Sequence, residues 1–134
     1  MGRYENIEAL FLVSLGAIIG VNARLYIYEK LGEQKFIRND LRILFINSLA
    51  SFLLGLFYSI STNQIYSDYI YKLTLVFSIG FFGSLSTFST VIYDLFKLSF
   101  KYKFVRSIKL LILSISSGLF SLFLGLLLGN ELFR

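Results

Sequence analysis

The sequence contains no cysteine, no histidine and no proline among its 134 residues. Without cysteine, the chain can form neither a disulfide framework nor a thiolate metal site. Without histidine, it lacks the most common general base and metal-binding side chain. No constellation of nucleophile, base and acid is visible, so we predict that the chain is not an enzyme. Without proline, any interruption of a helix has to arise at glycine, serine or threonine.

Charged residues are also few, whereas apolar residues make up 56% of the chain. A soluble domain of this size exposes much of its surface and cannot bury so many apolar side chains. A lipid bilayer removes this difficulty, so we predict an all-α integral membrane protein that forms a single domain over residues 1–134. The net charge of +5 comes from basic residues between apolar runs, as in juxtamembrane segments, and we expect no nucleic-acid partner.

Four apolar segments are long enough, or nearly so, to cross the hydrocarbon core, which takes about 20 residues of helix. We place these helices at about residues 7–28, 43–61, 71–95 and 107–129, joined by short polar linkers. Charged residues precede the first apolar run and no small-residue cleavage pattern follows it. We therefore expect the first helix to be retained rather than cleaved as a signal peptide.

The basic residues are distributed unequally between the two sides of the membrane. With four spans, both termini and the middle loop share one side, which carries Arg3, Lys72 and Arg134. The other side carries nine basic residues: Lys30, Lys35, Arg38, Arg42, Lys97, Lys101, Lys103, Arg106 and Lys109. Because cytoplasmic loops are enriched in lysine and arginine, we expect both termini to lie outside a plasma membrane, the inner membrane in a bacterium.

The second predicted helix carries Asn47, Ser51, Gly55 and Ser59 at intervals of four residues, which places them on one face. Small residues on such a face also serve helix packing, and that alternative stays open for the last three. The amide of Asn47 lies in mid-membrane, where a polar group needs a specific partner or a pore. We therefore favour a functional role for Asn47.

The third predicted helix contains the segment GFFGSLSTFST, from Gly80 to Thr90, in which five hydroxyl side chains follow two glycines. Hydroxyls can bond back to helix carbonyls and bend the helix, and glycine lowers the cost of unwinding. We predict a break within residues 83–87. A broken membrane helix frees backbone groups that can bind ions. The alternative is an intact helix that packs its hydroxyls against its neighbours.

The first predicted helix places Gly16 and Gly20 on one face with Arg24. An arginine near a helix end can extend its charge to the membrane surface, or it can stand at the mouth of an anion path. Both alternatives stay open for Arg24. The fourth predicted helix carries a stripe of small residues that we interpret as a packing surface: Ser117, Ser121, Gly125 and Gly129.

Together these segments resemble the CrcB/Fluc family of fluoride channels. The family's first-helix pattern of two glycines and an arginine fits residues 16–24. Its second-helix pattern, Asn-x-x-Gly-Ser-Phe-Leu-Leu-Gly, fits residues 47–55 with one glycine replaced by Ala50. Its third-helix pattern fits residues 80–91, and the acidic residue that follows is Asp94. These matches occur in the family's order and cover three of the four helices.

The resemblance implies an antiparallel, dual-topology dimer with two narrow fluoride paths at the subunit interface, which lowers cytoplasmic fluoride by passive export. It also implies a structural Na⁺ at the dimer centre, held by backbone oxygens of Gly83 and Ser86. The residues expected along the fluoride path are Arg24, Asn47, Ser51, Phe88 and Thr90. Amide and hydroxyl hydrogens and the positive edges of Phe rings could replace the water that fluoride loses.

The chain departs from the family pattern where Val91 replaces the second Phe of a pair, and valine offers no ring edge. Ser84 replaces a glycine, and Ser86 replaces a threonine but keeps its carbonyl. The strong charge bias also disfavours insertion in both directions, which an antiparallel homodimer requires. We therefore prefer a dimer with an oppositely oriented homologue over a dimer of the chain with itself.

Two other functions stay open at this point. One is a non-conducting assembly subunit of such a channel, which Val91 would favour. The other is a small four-helix drug/proton antiporter, which needs a carboxylate within the membrane. The first span has none between Ala9 and Tyr28, and Asp94 lies near the end of its span.

Overall fold

The computed structural model describes residues 2–34, 38–62, 68–100 and 104–132. These residues form α1 (Gly2–Glu33), α2 (Asn39–Thr62), α3 (Asp68–Thr74), a π-helix (Leu75–Phe82), α4 (Gly83–Leu85), α5 (Phe88–Phe100) and α6 (Phe104–Leu132). Of the basic residues counted above, Lys35, Lys101, Lys103 and Arg134 lie outside the described residues.

Four helical stretches of the described chain are long and apolar enough to span a membrane: Asn6–Glu33, Asn39–Ser61, Asp68–Lys97 and Phe104–Leu132. The shortest has 23 residues. At about 1.5 Å per residue, even this stretch exceeds the thickness of the hydrocarbon core. The prediction of an all-helical, multi-pass membrane protein is confirmed. Large apolar side chains such as Phe11 and Phe120, each 63% exposed, lie on the outward faces, where a membrane offers them lipid contact.

Helices α2 and α6 pack closely because a glycine of each helix meets the backbone of the other. A Cβ atom added to Gly55 would overlap the carbonyl oxygen of Leu122, and one added to Gly125 would overlap that of Phe52. Gly55 therefore serves helix packing, one of the two interpretations that its sequence position allowed. Small residues of this kind let membrane helices approach at the backbone.

The same helix pair carries a polar contact one turn further along. The Ser59 hydroxyl donates a hydrogen bond to Asn130 Oδ1 at 2.5 Å, and Ser59 is only 4% exposed. A Cβ atom added to Gly129 would lie 2.6 Å from the Ser59 Cβ. Ser59 thus also belongs to the packing surface between α2 and α6.

A second close pair joins α1 to the π-helix. Gly16 faces the carbonyl oxygen of Val76, and a Cβ atom added to Gly80 would lie 2.7 Å from the carbonyl oxygen of Val13. Further along α1, a Cβ atom on Gly20 would overlap the carbonyl oxygen of Phe81. The glycines that share a face with Arg24 therefore hold the first span against the third.

A small core forms where the two helix pairs meet. Ile46 and Ala50 of α2 pack with Leu85 of α4, and each is at most 2% exposed. Ala23 and Ile27 of α1 pack against the same cluster. Because Leu85 is anchored on both sides, the residues that follow it in the chain are held at a fixed place between α1 and α2.

The third span departs from α-helical geometry in two places. The π-helix occupies Leu75–Phe82, ahead of the segment where the sequence predicted a break, and no feature of the sequence predicted it. After α4, Ser86 has an extended conformation, with φ −75° and ψ 152°, and α5 begins at Phe88. Wide helical turns of the π type are rare and occur frequently at functional sites.

We expect Gly125→Ala to lower the free energy of unfolding by about 1–3 kcal/mol, because the new methyl group overlaps backbone that cannot rotate away. Gly118→Ala, on the same helix, is the matched control, since a Cβ there lies 3.6 Å from Ser51 Oγ, an ordinary contact. Thermal unfolding in detergent measures both variants. Equal midpoints for the two variants would contradict this account of the helix pair.

Candidate functional site

The side chain of Asn47 binds both backbone polar groups of Thr87. Asn47 Nδ2 donates to the Thr87 carbonyl oxygen at 3.1 Å, and the Thr87 N–H donates to Asn47 Oδ1 at 2.8 Å. Thr87 is not helical and lies directly before the first residue of α5. The amide of one helix therefore supplies the hydrogen bonds that a second helix lacks where it is interrupted, which a partly buried backbone requires.

This pairing changes the hydrogen bonding of Gly83. In a continuous α-helix the Thr87 N–H would donate to the Gly83 carbonyl, four residues earlier. The preceding bond of that ladder is present, since the Ser86 N–H donates to the Phe82 carbonyl at 3.2 Å. The Gly83 oxygen instead accepts a long bond of 3.4 Å from the Ser86 hydroxyl. Asn47 thus diverts the N–H that would otherwise occupy the Gly83 oxygen.

The two oxygens that the resemblance implies for a sodium ion fit that role in their local geometry. Gly83 is exposed and its carbonyl is diverted from its usual helical partner, while the extended conformation of Ser86 turns its carbonyl out of the helical ladder. Neutral carbonyl oxygens suit a monovalent hard cation, because they bind it without adding a buried negative charge. The residues present therefore fit the group.

A cavity of about 260 Å³ lies beside this interruption. Its lining combines one cationic side chain, two threonine hydroxyls and apolar residues: Arg24, Leu25, Tyr28, Ile43, Ile46, Thr87 and Thr90. The Thr87 and Thr90 hydroxyl oxygens lie 3.4 Å apart. Among the described lining residues, Arg24 carries a fixed positive charge and none is a carboxylate, so this part of the lining favours an anion.

The cavity gathers three of the residues that the sequence singled out. Arg24 and Thr90 line it directly, and Asn47 reaches it through its bonds to Thr87. Arg24 is half-buried, and α1 continues beyond it to Glu33. The sequence had placed Arg24 near a helix end, but the longer helix keeps it within the span, on the cavity wall.

Two predicted path residues lie elsewhere in the single chain. Phe88 is 68% exposed at the start of α5, so its ring is on the surface of the chain. Ser51 faces α6, where its hydroxyl lies close to Gly118. Val91, where the resemblance implies a second Phe, is 6% exposed and lies near Ile43 inside the chain.

A second cavity, of about 310 Å³, lies toward the far end of α2, and the sequence did not predict it. Its lining is rich in aromatic and hydroxyl side chains: Phe57, Tyr58, Ser61, Ile70, Tyr71, Thr74 and Ser78. The Ser61 and Thr74 hydroxyls each donate to a carbonyl of their own helix at 2.9 Å. We assign this cavity no role.

Comparison with known proteins identifies the family. The sequence model of the family described as "CrcB-like protein, Camphor Resistance (CrcB)" matches residues 11–126. "Fluoride-specific ion channel FluC 2" of Prochlorococcus marinus (strain NATL2A) is 48% identical over 122 residues, which is 91% of this chain and 98% of that protein. "Fluoride-specific ion channel FluC 1" of Carboxydothermus hydrogenoformans is 34% identical over 90% of this chain and 93% of its own length. "Fluoride-specific ion channel FluC" of Pyrococcus furiosus is 31% identical over 94% and 99%, respectively. The matched region includes the glycines that pack α1 against the π-helix and the Asn47–Thr87 site. Because the family model and these relatives cover most of the chain, the chain belongs to the CrcB family.

Proposed function

We propose that the chain is a subunit of a fluoride-specific channel that lowers cytoplasmic fluoride by passive export, with residues 1–134 as one membrane domain. The observation that carries this proposal is the amide of Asn47 at the interrupted third span, beside a cavity that holds Arg24 and hydroxyl groups. The relatives named above are fluoride-specific ion channels, and this similarity supplies the identity of the ion.

The chemistry of the cavity suits a small, strongly hydrated anion. Arg24 raises the local concentration of anions at the mouth of the path. The hydroxyls of Thr87 and Thr90 and the N–H of Asn47 that Thr87 does not use can then replace lost water molecules as donors. Such donors hold the ion through weak, successive sites, which favours passage over tight binding.

The remaining path residues act at a subunit interface in this proposal. The exposed ring of Phe88 would be covered by a second subunit, where its positive edge could contact the anion. Ser51, one helical turn from Asn47, would extend the hydrogen-bonding track along α2. A sodium ion on Gly83 and Ser86 would supply a fixed positive charge that offsets the cost of a nearby anion in the membrane.

The charge bias and Val91 favour an oppositely oriented homologue as the dimer partner, in a bacterial inner membrane with both termini of this chain outside. The burial of Val91 within the subunit also favours a second candidate function, that of a non-conducting assembly subunit, because this position offers no ring to the path. A drug/proton antiporter would need a carboxylate within the membrane, and none of the described residues that line the Arg24 cavity is a carboxylate.

We expect Asn47→Ala to lower fluoride flux into liposomes about tenfold to a hundredfold, because a donor to a desolvated anion is lost. Ser14→Ala is the matched control, since this exposed hydroxyl donates to its own helix at Leu10. Fluoride and chloride electrodes measure the flux and its selectivity. Undiminished flux in Asn47→Ala would remove this residue from the path, and absent flux in every pairing would favour the assembly subunit.

We expect the subunit to insert into the membrane in one direction. Because the chain has no cysteine, a single introduced cysteine can report its orientation by labelling. Glu33 and Asp68 have side chains 68% and 79% exposed at opposite ends of the bundle. In intact cells, a membrane-impermeant maleimide should label Asp68→Cys and leave Glu33→Cys unlabelled until the membrane is opened. Equal labelling of both variants in intact cells would show dual topology.

The unequal distribution of basic residues, which favours one orientation, also predicts the outcome of expression. Expression of this gene alone should yield little fluoride efflux, and co-expression of an oppositely oriented homologue should restore it. The measurement is fluoride efflux from cells, with Asn47→Ala as the inactive reference. Strong efflux from the chain alone, together with labelling in both orientations, would refute the heterodimer.

A further inference from the structure

We infer that Asn47 is a positioning residue that keeps the Gly83 carbonyl available to a cation and thereby couples the cation site to the anion path. This inference deepens the proposed function and rests on it. It assigns Asn47 a second task besides donating to the transported anion. The basis is the double hydrogen bond between the Asn47 side chain and the Thr87 backbone.

The N–H of Thr87 donates to Asn47 and not to the helix that precedes it. α4 is held by the buried Leu85, and the Ser86 N–H still bonds to the Phe82 carbonyl, so the chain follows a helical ladder up to that point. The next N–H in the ladder belongs to Thr87 and would reach Gly83. It turns instead to Asn47 Oδ1 at 2.8 Å. A single side chain therefore decides whether the Thr87 N–H reaches the Gly83 oxygen, which now accepts only the long bond from the Ser86 hydroxyl among the described contacts of this segment.

Removal of the Asn47 amide would leave the Thr87 N–H without its acceptor. A buried N–H without a partner is costly in the membrane, so Thr87 would seek another acceptor. The helical acceptor one turn earlier is the Gly83 oxygen, which lies in the same segment. Closing that bond would occupy the oxygen and pull Ser86 toward helical geometry. Both proposed cation ligands would then be lost together.

The asparagine amide can make more hydrogen bonds than Thr87 uses, because it has two N–H donors and two acceptor positions on its oxygen. Thr87 uses one donor and one acceptor position. The Thr87 backbone leaves one N–H of this amide unused. One amide group can therefore fix the interrupted backbone and contribute to the anion path at the same time.

The test measures cation binding by thermal stability, which does not depend on transport. The purified channel, with its partner subunit where one is required, is unfolded by heat in detergent while Na⁺ replaces N-methylglucamine at constant ionic strength. A ligand that binds the folded protein raises the unfolding midpoint. We expect Na⁺ to raise the midpoint of the unmodified channel. In Asn47→Ala, the Na⁺ concentration for half of this effect should rise about tenfold or more, because two hydrogen bonds are lost.

Asn47→Asp separates the positioning task from the donor task. A protonated aspartic acid can accept from the Thr87 N–H and donate to its carbonyl, but it has no further hydrogen to offer an anion. Arg24 and Tyr28 are the titratable side chains among the described residues that line the adjoining cavity. At acidic pH, Asn47→Asp should therefore recover the sodium effect that Asn47→Ala loses.

Ser14→Ala serves again as the control and should keep the sodium effect unchanged. The inference is overturned if Asn47→Ala keeps the half-maximal Na⁺ concentration of the unmodified channel, or if Na⁺ stabilises neither. It is also overturned if Asn47→Asp at acidic pH stays like Asn47→Ala. Fluoride flux through the unmodified channel tests the proposed function separately. If the channel conducts fluoride but Asn47→Ala leaves the half-maximal Na⁺ concentration unchanged, only the positioning role is refuted.

Discussion

The bond pair between Asn47 and Thr87 is the interaction on which the rest of the site depends. A membrane-spanning helix cannot stop and restart without leaving backbone N–H and C=O groups that lipid does not satisfy. Here the amide of α2 satisfies both groups of the one residue before α5, at 2.8 and 3.1 Å. The interruption is thereby stable, and the Gly83 carbonyl is left without its usual helical partner.

Two close contacts between helices, called glycine seams here because glycines meet the facing backbone, fix the position of the Asn47 amide. One seam joins α2 to α6 through Gly55 and Gly125, and the other joins α1 to the π-helix through Gly16 and Gly80. Backbone contact of this kind is stiff, because no side chain can rotate to absorb a shift. The buried Leu85 then links the two pairs next to Ser86 and Thr87. The exposed faces of the pairs, including Phe88, are left for lipid and, in the proposed dimer, for a second subunit.

The electrostatic character of the site follows from the same packing. Arg24 lies within a long helix and lines the cavity together with hydroxyl groups, and none of the lining residues that the structure describes is a carboxylate. In the proposed function, Arg24 and the hydroxyl donors would serve an anion, and the carbonyl oxygens of Gly83 and Ser86 would serve a cation. In the proposed channel, each ion lowers the cost of placing the other in the membrane.

The sequence by itself determined the four apolar spans, the membrane environment and the family, because length, hydropathy and motif order are local properties of the chain. It also singled out Asn47 and the hydroxyl-rich segment. Periodicity placed Asn47, Ser51, Gly55 and Ser59 on one face but could not name the neighbour of each. Only the tertiary structure decided that Gly55 and Ser59 pack on α6 while Asn47 binds Thr87, 40 residues away. The π-helix and the place of Arg24 on a cavity wall were likewise set by contacts between helices, which no local pattern encodes.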